Sequence, residues 1–201
     1  MKTITCLCEN TFDVDIPDEI DLDGDAVQLD KIRSGGFLSF SCPACGKTLK
    51  PEFPLKVKSA NLALSLLMIP EDERMTFYRG KYDVPSGYEC VIGYPELLDR
   101  VRAVADGFDH RAIEVMKYIF LSKAEDSDPS AQPFIFSHGI EDGSLSFHVH
   151  GLKDGNVAVV KAPRKLYEMT LKDLPSKSKE EPFDAILKPP YVSVNRLDME
   201  E

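Results

Sequence analysis

Phe40-Ser41-Cys42-Pro43-Ala44-Cys45-Gly46-Lys47 is a tight cysteine turn with strand-forming residues on either side. Proline fixes φ at the start of the turn. Gly46 follows the second cysteine, where the chain needs a left-handed residue that glycine supplies without steric cost. A second pair, Cys6-Leu7-Cys8, stands near the start of the chain, and Cys90 is left over. Two thiol pairs carried on two turns make a tetrahedral donor set, and thiolate sulfur suits zinc. Cys6, Cys8, Cys42 and Cys45 are therefore the expected ligands of one Zn²⁺. Four thiolates fill the coordination sphere, so the site reads as structural and not catalytic. Such a centre carries net negative charge, and Lys47 and Lys50 are near enough in sequence to offset part of it. The competing reading is a redox dithiol, because Cys-Pro-X-Cys also serves thiol oxidoreductases. Those place the motif between a strand and a helix, whereas strands flank it here. Cys90 lies in an apolar stretch and reads as a small buried hydrophobe.

Working outward, residues 2–16 read as two short strands around the first cysteine turn, with Phe12, Val14 and Ile16 alternating with polar residues. Asp25 is a good N-cap for a helix from Ala26 to Arg33, stopped by Ser34-Gly35-Gly36. Phe37–Ser41 and Thr48–Leu55 are expected as strands, the second irregular because of Pro51 and Pro54. Ser65–Ile69 reads as a buried strand closed by Pro70, with Met75–Tyr78 and Glu89–Tyr94 as weaker strands. The period then lengthens. Leu97, Leu98, Val101 and Val104 fit a helix from Pro95 to Asp106-Gly107. A second helix follows, capped by Asp109 and carrying Ile113, Met116, Lys117, Phe120 and Leu121. A polar link, Ala124–Pro133, leads to strands at Phe134–Ile140, Ser144–Leu152 and Asn156–Lys161. They are joined by Asp142-Gly143 and Asp154-Gly155, both strong hairpin signals. Pro175–Pro182 reads as a charged linker, and Tyr191–Val194 as a last strand or a docked tail.

The predicted class is α+β: a zinc-ribbon-like antiparallel sheet, an αα-hairpin, then a C-terminal β-meander. Residues 1–124 form the expected metal-binding domain with its helical hairpin, and 132–201 the meander and tail. The 201 residues include 43% hydrophobic side chains, enough for an ordinary core. The first residues hold no apolar stretch of a signal peptide. The longest apolar run, Leu62–Pro70, falls well short of the roughly 20 residues that span a bilayer. A soluble cytoplasmic protein is expected, and its reduced thiols favour metal over disulfides. The net charge of −10 argues against nonspecific nucleic-acid binding. Charge is unevenly placed, however. An acidic strip runs from Glu9 to Asp25 and a mostly basic one from Lys47 to Lys58, expected to be solvated or to lie side by side.

The chain resembles the CpXC family, bacterial and archaeal proteins named for a Cys-Pro-X-Cys pattern. The likeness rests on Ile4-Thr5-Cys6-Leu7-Cys8 with Thr11-Phe12-Asp13-Val14, on Phe40–Lys47, and on Pro54-Leu55 with Leu67-Met68-Ile69-Pro70. It extends to Asp106-Gly107-Phe108-Asp109-His110-Arg111-Ala112-Ile113-Glu114-Val115-Met116-Lys117. The first cysteine pair departs from the pattern. It is contracted to Cys-X-Cys, and Glu9 stands where glycine is expected. The resemblance implies a zinc-ribbon module and assigns no activity.

Other constellations are weaker. His138, His148 and His150 fall on adjoining strands, and His148 and His150 share a face. A two-residue turn puts His138 on the opposite face, and a three-residue loop on the same one. An open His₃ metal site is one reading, and surface or hydrogen-bonded histidines are the favoured one. Asp21-X-Asp23-X-Asp25 fails the calcium-loop pattern, with Ala26 at the required glycine and Ile32 at the required glutamate. Asp109, Arg111 and Glu114 form a polar strip suited to a partner contact or, preferably, to a network tying the helix to the ribbon. No phosphate-binding, nucleophile-elbow or metalloprotease motif is present. The expected function is a non-enzymatic binding or adaptor protein with protein partners, no catalytic residues and a structural zinc. The alternatives are a thiol-based redox or metal sensor and a metal-dependent hydrolase using the meander histidines.

Overall fold

In the computed structural model, which describes residues 1–153 and 155–199, each cysteine pair sits at the end of a short antiparallel hairpin. β1 (Lys2–Thr5) pairs with β2 (Thr11–Val14), and β4 (Phe40–Ser41) with β5 (Thr48–Leu49). Pro51 and Pro54 remove backbone donors just past β5, which is why the expected strand to Leu55 breaks off at Leu49. A new strand starts where the prolines end. β6 (Leu55–Ser59) buries Leu55, Val57 and Ser59 and turns Lys56 and Lys58 outward.

β6 is the second strand of a four-stranded mixed sheet ordered β3-β6-β7-β8, with β3 at Glu19–Asp21, β7 at Leu64–Ile69 and β8 at Glu89–Ile92. β3 runs parallel to β6 and sets Glu19 beside Lys56 and Asp21 beside Lys58. The acidic and basic strips are thus neighbouring strands, with Lys58 Nζ 2.9 Å from Glu19 Oε1. Asp23 accepts bonds from Ser59 Oγ and from the backbone of Ala60 and Asn61. Between β3 and β4 lies α1 (Ala26–Ser34), capped by Asp25 and closed by left-handed Gly35. Cys90 is fully buried in β8, as a small hydrophobe should be. Met75–Tyr78 is not a strand. Arg74–Tyr78 forms helix α2, following a 3₁₀ turn at Glu71–Glu73 and braced by Arg74 against Glu71 and Tyr78.

By their contacts these elements belong to one compact unit, Met1–Tyr94, and the remainder to a second, Pro95–Glu201. The second unit holds most of α3 (Gly93–Ala105) and all of α4 (His110–Ser127), joined by a four-residue turn. It also holds the meander β9 (Phe134–Glu141), β10 (Ser144–Lys153) and β11 (Asn156–Pro163). Both central residues of the β9–β10 turn, Asp142 and Gly143, have positive φ, the geometry that matches strand twist. Asp154, of the expected second turn, lies outside the described residues.

One face of the meander supplies Ile135, Leu145, Phe147 and Val149 to a core completed by Ile113 and Met116 of α4. That core also takes Tyr167 and Leu174 from α5 (Arg164–Lys177). This last helix occupies part of the expected linker. Pro175 lies inside it near the C-terminal end, where it removes one helical N–H donor. A short helix α6 (Phe183–Ile186) follows. Tyr191, Val192 and Val194 then dock as a buried tail and form no strand. The class is α+β, as the sequence predicts.

Candidate metal centre

The two cysteine turns are built by different local devices. Cys42 N–H bonds to Lys47 O at 2.9 Å, and Gly46 N–H to Cys42 O at 2.9 Å, with Gly46 at φ +73°. The contracted first turn reaches a similar result in fewer residues. Cys6 N–H bonds to Asn10 O at 2.9 Å, and Glu9 N–H to Cys6 O at 2.8 Å, which forces Glu9 to φ +66°. Both turns aim their sulfurs inward. Cys6 Sγ lies 3.6 Å from Cys45 Sγ, and Cys8 Sγ 3.7 Å from Cys42 Sγ. All four ligand atoms lie within 4.8 Å of one another. None of these cysteines is disulfide-bonded. The expected ligand set is thus brought together as a group able to hold a metal ion.

Cys6 and Cys42 are buried, while Cys8 and Cys45 are exposed. Burial opposes ionisation of Cys42, but the N–H groups of Cys45 and Ala44, with the Cys6 and Cys8 thiols, overcome it. They lower its pKa from 9.0 to about 6. For Cys45 the Lys47 N–H acts downward. The neighbouring Cys8 and Cys6 sulfurs and burial outweigh it and push the pKa up to about 12. One thiolate forms readily and makes the next harder to form, the behaviour of clustered like charges. A bound cation removes that conflict, because ligation deprotonates thiols outright.

Two features of the surroundings differ from the sequence reading. Lys50 is not turned to the sulfurs; its Nζ bonds to Gly35 O at 2.7 Å and lies over the Tyr94 ring. Asn10 is the side chain that reaches them, its Nδ2 standing 3.8 Å from Cys42 Sγ. Its only signal in the sequence is its place two residues after Cys8.

The other candidates resolve within the second unit. Asp109 caps α4 through Arg111 N–H at 2.9 Å and pairs with the Arg111 guanidinium. Glu114 is buried against Lys117 and accepts Val194 N–H, so it ties α4 to the C-terminal tail. His138 and His148 stack with ring centroids 4.1 Å apart. His150 lies flat on Phe134 instead, at 4.9 Å and 5°.

A family model for the CpXC protein matches residues 4–117 of the chain, which contain all four clustered cysteines. The chain is 29% identical to an uncharacterized protein of Treponema pallidum (strain Nichols), over 98% of each sequence. No solved structure matches it. Among the described residues no helix is long and apolar enough to cross a membrane.

Proposed function

The chain belongs to the CpXC protein family, and from that premise we propose that it is a non-enzymatic binding or adaptor protein of the cytoplasm whose first unit is held by one structural zinc ion on Cys6, Cys8, Cys42 and Cys45. The observation that carries this is the sulfur spacing. Thiolates about 2.3 Å from a tetrahedral zinc stand ~3.8 Å apart, and two cross-hairpin sulfur pairs lie at 3.6 and 3.7 Å. Four thiolates leave no position for water or substrate, so the ion's chemistry there is cross-linking. It would join two hairpins whose strands have only four or two residues each, too few to be stable alone. A ribbon of two such hairpins gains its folding energy from the metal. For a protein partner, the second unit offers a cleft of about 370 Å³. Leu171, Leu174 and Leu187 line it, with Asp109 and Arg111 also on its walls.

Native mass spectrometry of protein purified without added metal or chelator tests the metal. We expect zinc in the cysteine site, with that ion lost from the Cys42→Ser/Cys45→Ser variant and circular dichroism showing an unfolded first unit. An ion content unchanged by the double substitution, or unchanged melting of a metal-free sample, would refute the assignment.

A thiol sensor is a second reading, favoured by the exposure of Cys8 and Cys45, one thiol of each pair. It requires mild peroxide to oxidise the thiols reversibly and release the metal. A structural centre keeps its metal under the same treatment.

A further inference from the structure

The outward face of the meander carries a second group of metal-ligating side chains, and the backbone is shaped to assemble it. Leu145, Phe147 and Val149 of β10 point into the core, so Ser144, Ser146, His148 and His150 face the other way. The two-residue turn at Asp142-Gly143 alone would leave His138 on the core side. A β-bulge reverses this. Gly139 pairs with Ser146 and Ser137 with Phe147, which leaves His138 as the extra residue. The bulge moves His138 onto the outward face, over the His148 ring. Glu141, paired with Ser144, lies on the same face. The bulge also depends on glycine. Gly139 has φ +90°, and a Cβ there would stand 2.9 Å from Asp106 Oδ2.

His138, Glu141 and His148 each offer a ligand atom, all within 4.8 Å of one another. His138 Nδ1 and Glu141 Oε1 are 3.7 Å apart. An ion with N and O ligands at roughly 2.0–2.2 Å spaces them about 3.4 Å apart. Small side-chain rotations close the difference, since the His138 and Glu141 side chains are 47% and 38% exposed. Lys161 is 3.9 Å from Glu141 but 2.6 Å from Asp142, which holds it as the closer partner. His150 is not one of this group of converging ligand atoms, and its ring lies flat on Phe134 instead.

We propose that His138, Glu141 and His148 form a second site, for a divalent transition-metal ion, separate from the cysteine centre. Two imidazoles and a carboxylate suit zinc and its borderline neighbours. Three protein ligands leave coordination positions open, so this ion would be able to take water or a small anionic ligand.

The test is a titration of the full chain with zinc and, in parallel, with cobalt. The wild type should bind a second equivalent of zinc. That equivalent should disappear in His138→Ala and in His148→Ala, and weaken at least tenfold in Glu141→Gln. His150→Ala should keep it. With cobalt, the second equivalent should add no thiolate-to-metal charge-transfer band, while the cysteine site produces one. Loss of that band with the histidine equivalent intact would count against the cysteine assignment alone. Wild-type stoichiometry in both histidine variants would overturn the second site, as would equal weakening by His150→Ala, the sign of diffuse surface binding. These side chains lie outside the core, and circular dichroism checks that each variant is folded.

Discussion

Glu9 is where one residue departs from its family pattern at a measurable cost. It occupies a left-handed conformation at φ +66° in the first cysteine turn, the role Gly46 fills at φ +73° in the second. A non-glycine residue there costs about 1–2 kcal/mol, and glycine returns part of that as unfolded-chain entropy, about 0.5–1 kcal/mol. Glu9→Gly is therefore expected to stabilise the metal-loaded protein by about 0.5 kcal/mol, read as a higher urea midpoint at unchanged slope. Glu9→Gln, which removes the charge and keeps the backbone strain, should give less. An equal gain in both would assign the effect to charge near the thiolates. The four cysteines were legible because their chemistry and spacing are written in the residue types. Asn10 was not, and Lys50 was misjudged, because which polar group turns toward a sulfur is set by the fold around it. Nearness in sequence does not supply that.

At the scale of elements, sequence and structure agree where a segment has a clear period and caps. α4 begins at the expected cap, and Asp109→Ala should cost about 1 kcal/mol. Burial opposes ionisation of Asp109, but the bonds from Arg111 prevail and hold its pKa below 3.8. A depressed folded-state pKa means the contribution is complete above the unfolded value and is lost as pH falls through the folded one. The gap between wild type and Asp109→Ala in thermal melts should thus hold from neutral pH to about 4 and narrow below 3.8. A constant gap down to pH 2 would show that the carboxylate charge plays no part. Elements without period or caps were misread. Met75–Tyr78 is too short for strand and helix patterns to be told apart, and it joined a helix. α5 was hidden by Pro175, although Tyr167, Thr170 and Leu174 already mark its buried face. The bulge that unites His138 with His148 was illegible, because it lies within a strand whose alternation looks regular until Gly139 shifts the register.

At the scale of the molecule, the sequence suggested that the α4 polar strip served the cysteine module, and the structure assigns it to the second unit. Glu114 of that strip enters a buried network centred on Lys117. Its Nζ meets Asp99 of α3 and, at 2.7 Å, Glu114 of its own helix, with all three side chains at most 7% exposed. Asp99 also accepts Ser137 N–H from β9, and Glu114 accepts Val194 N–H from the tail, both at 2.8 Å. Neighbouring Arg100 bonds to Val192 O. One buried ammonium therefore joins two helices, a sheet edge and the C-terminal tail, elements that no local pattern connects. Burial works against its charge, but Asp99 and Glu114 outweigh it and raise its pKa, so its contribution persists below the ordinary lysine value and is lost only at higher pH. Lys117→Met leaves two buried carboxylates without their cation, and the expected loss is about 3–5 kcal/mol. That loss should appear in the second unit as faster amide exchange at Ser137 and Val194. If the cause is uncompensated charge, adding Asp99→Asn and Glu114→Gln keeps both acceptors and should restore more than half of the stability. If the triple variant melts no higher than Lys117→Met, the lysine matters for its packing, and the network does not hold the unit together through charge.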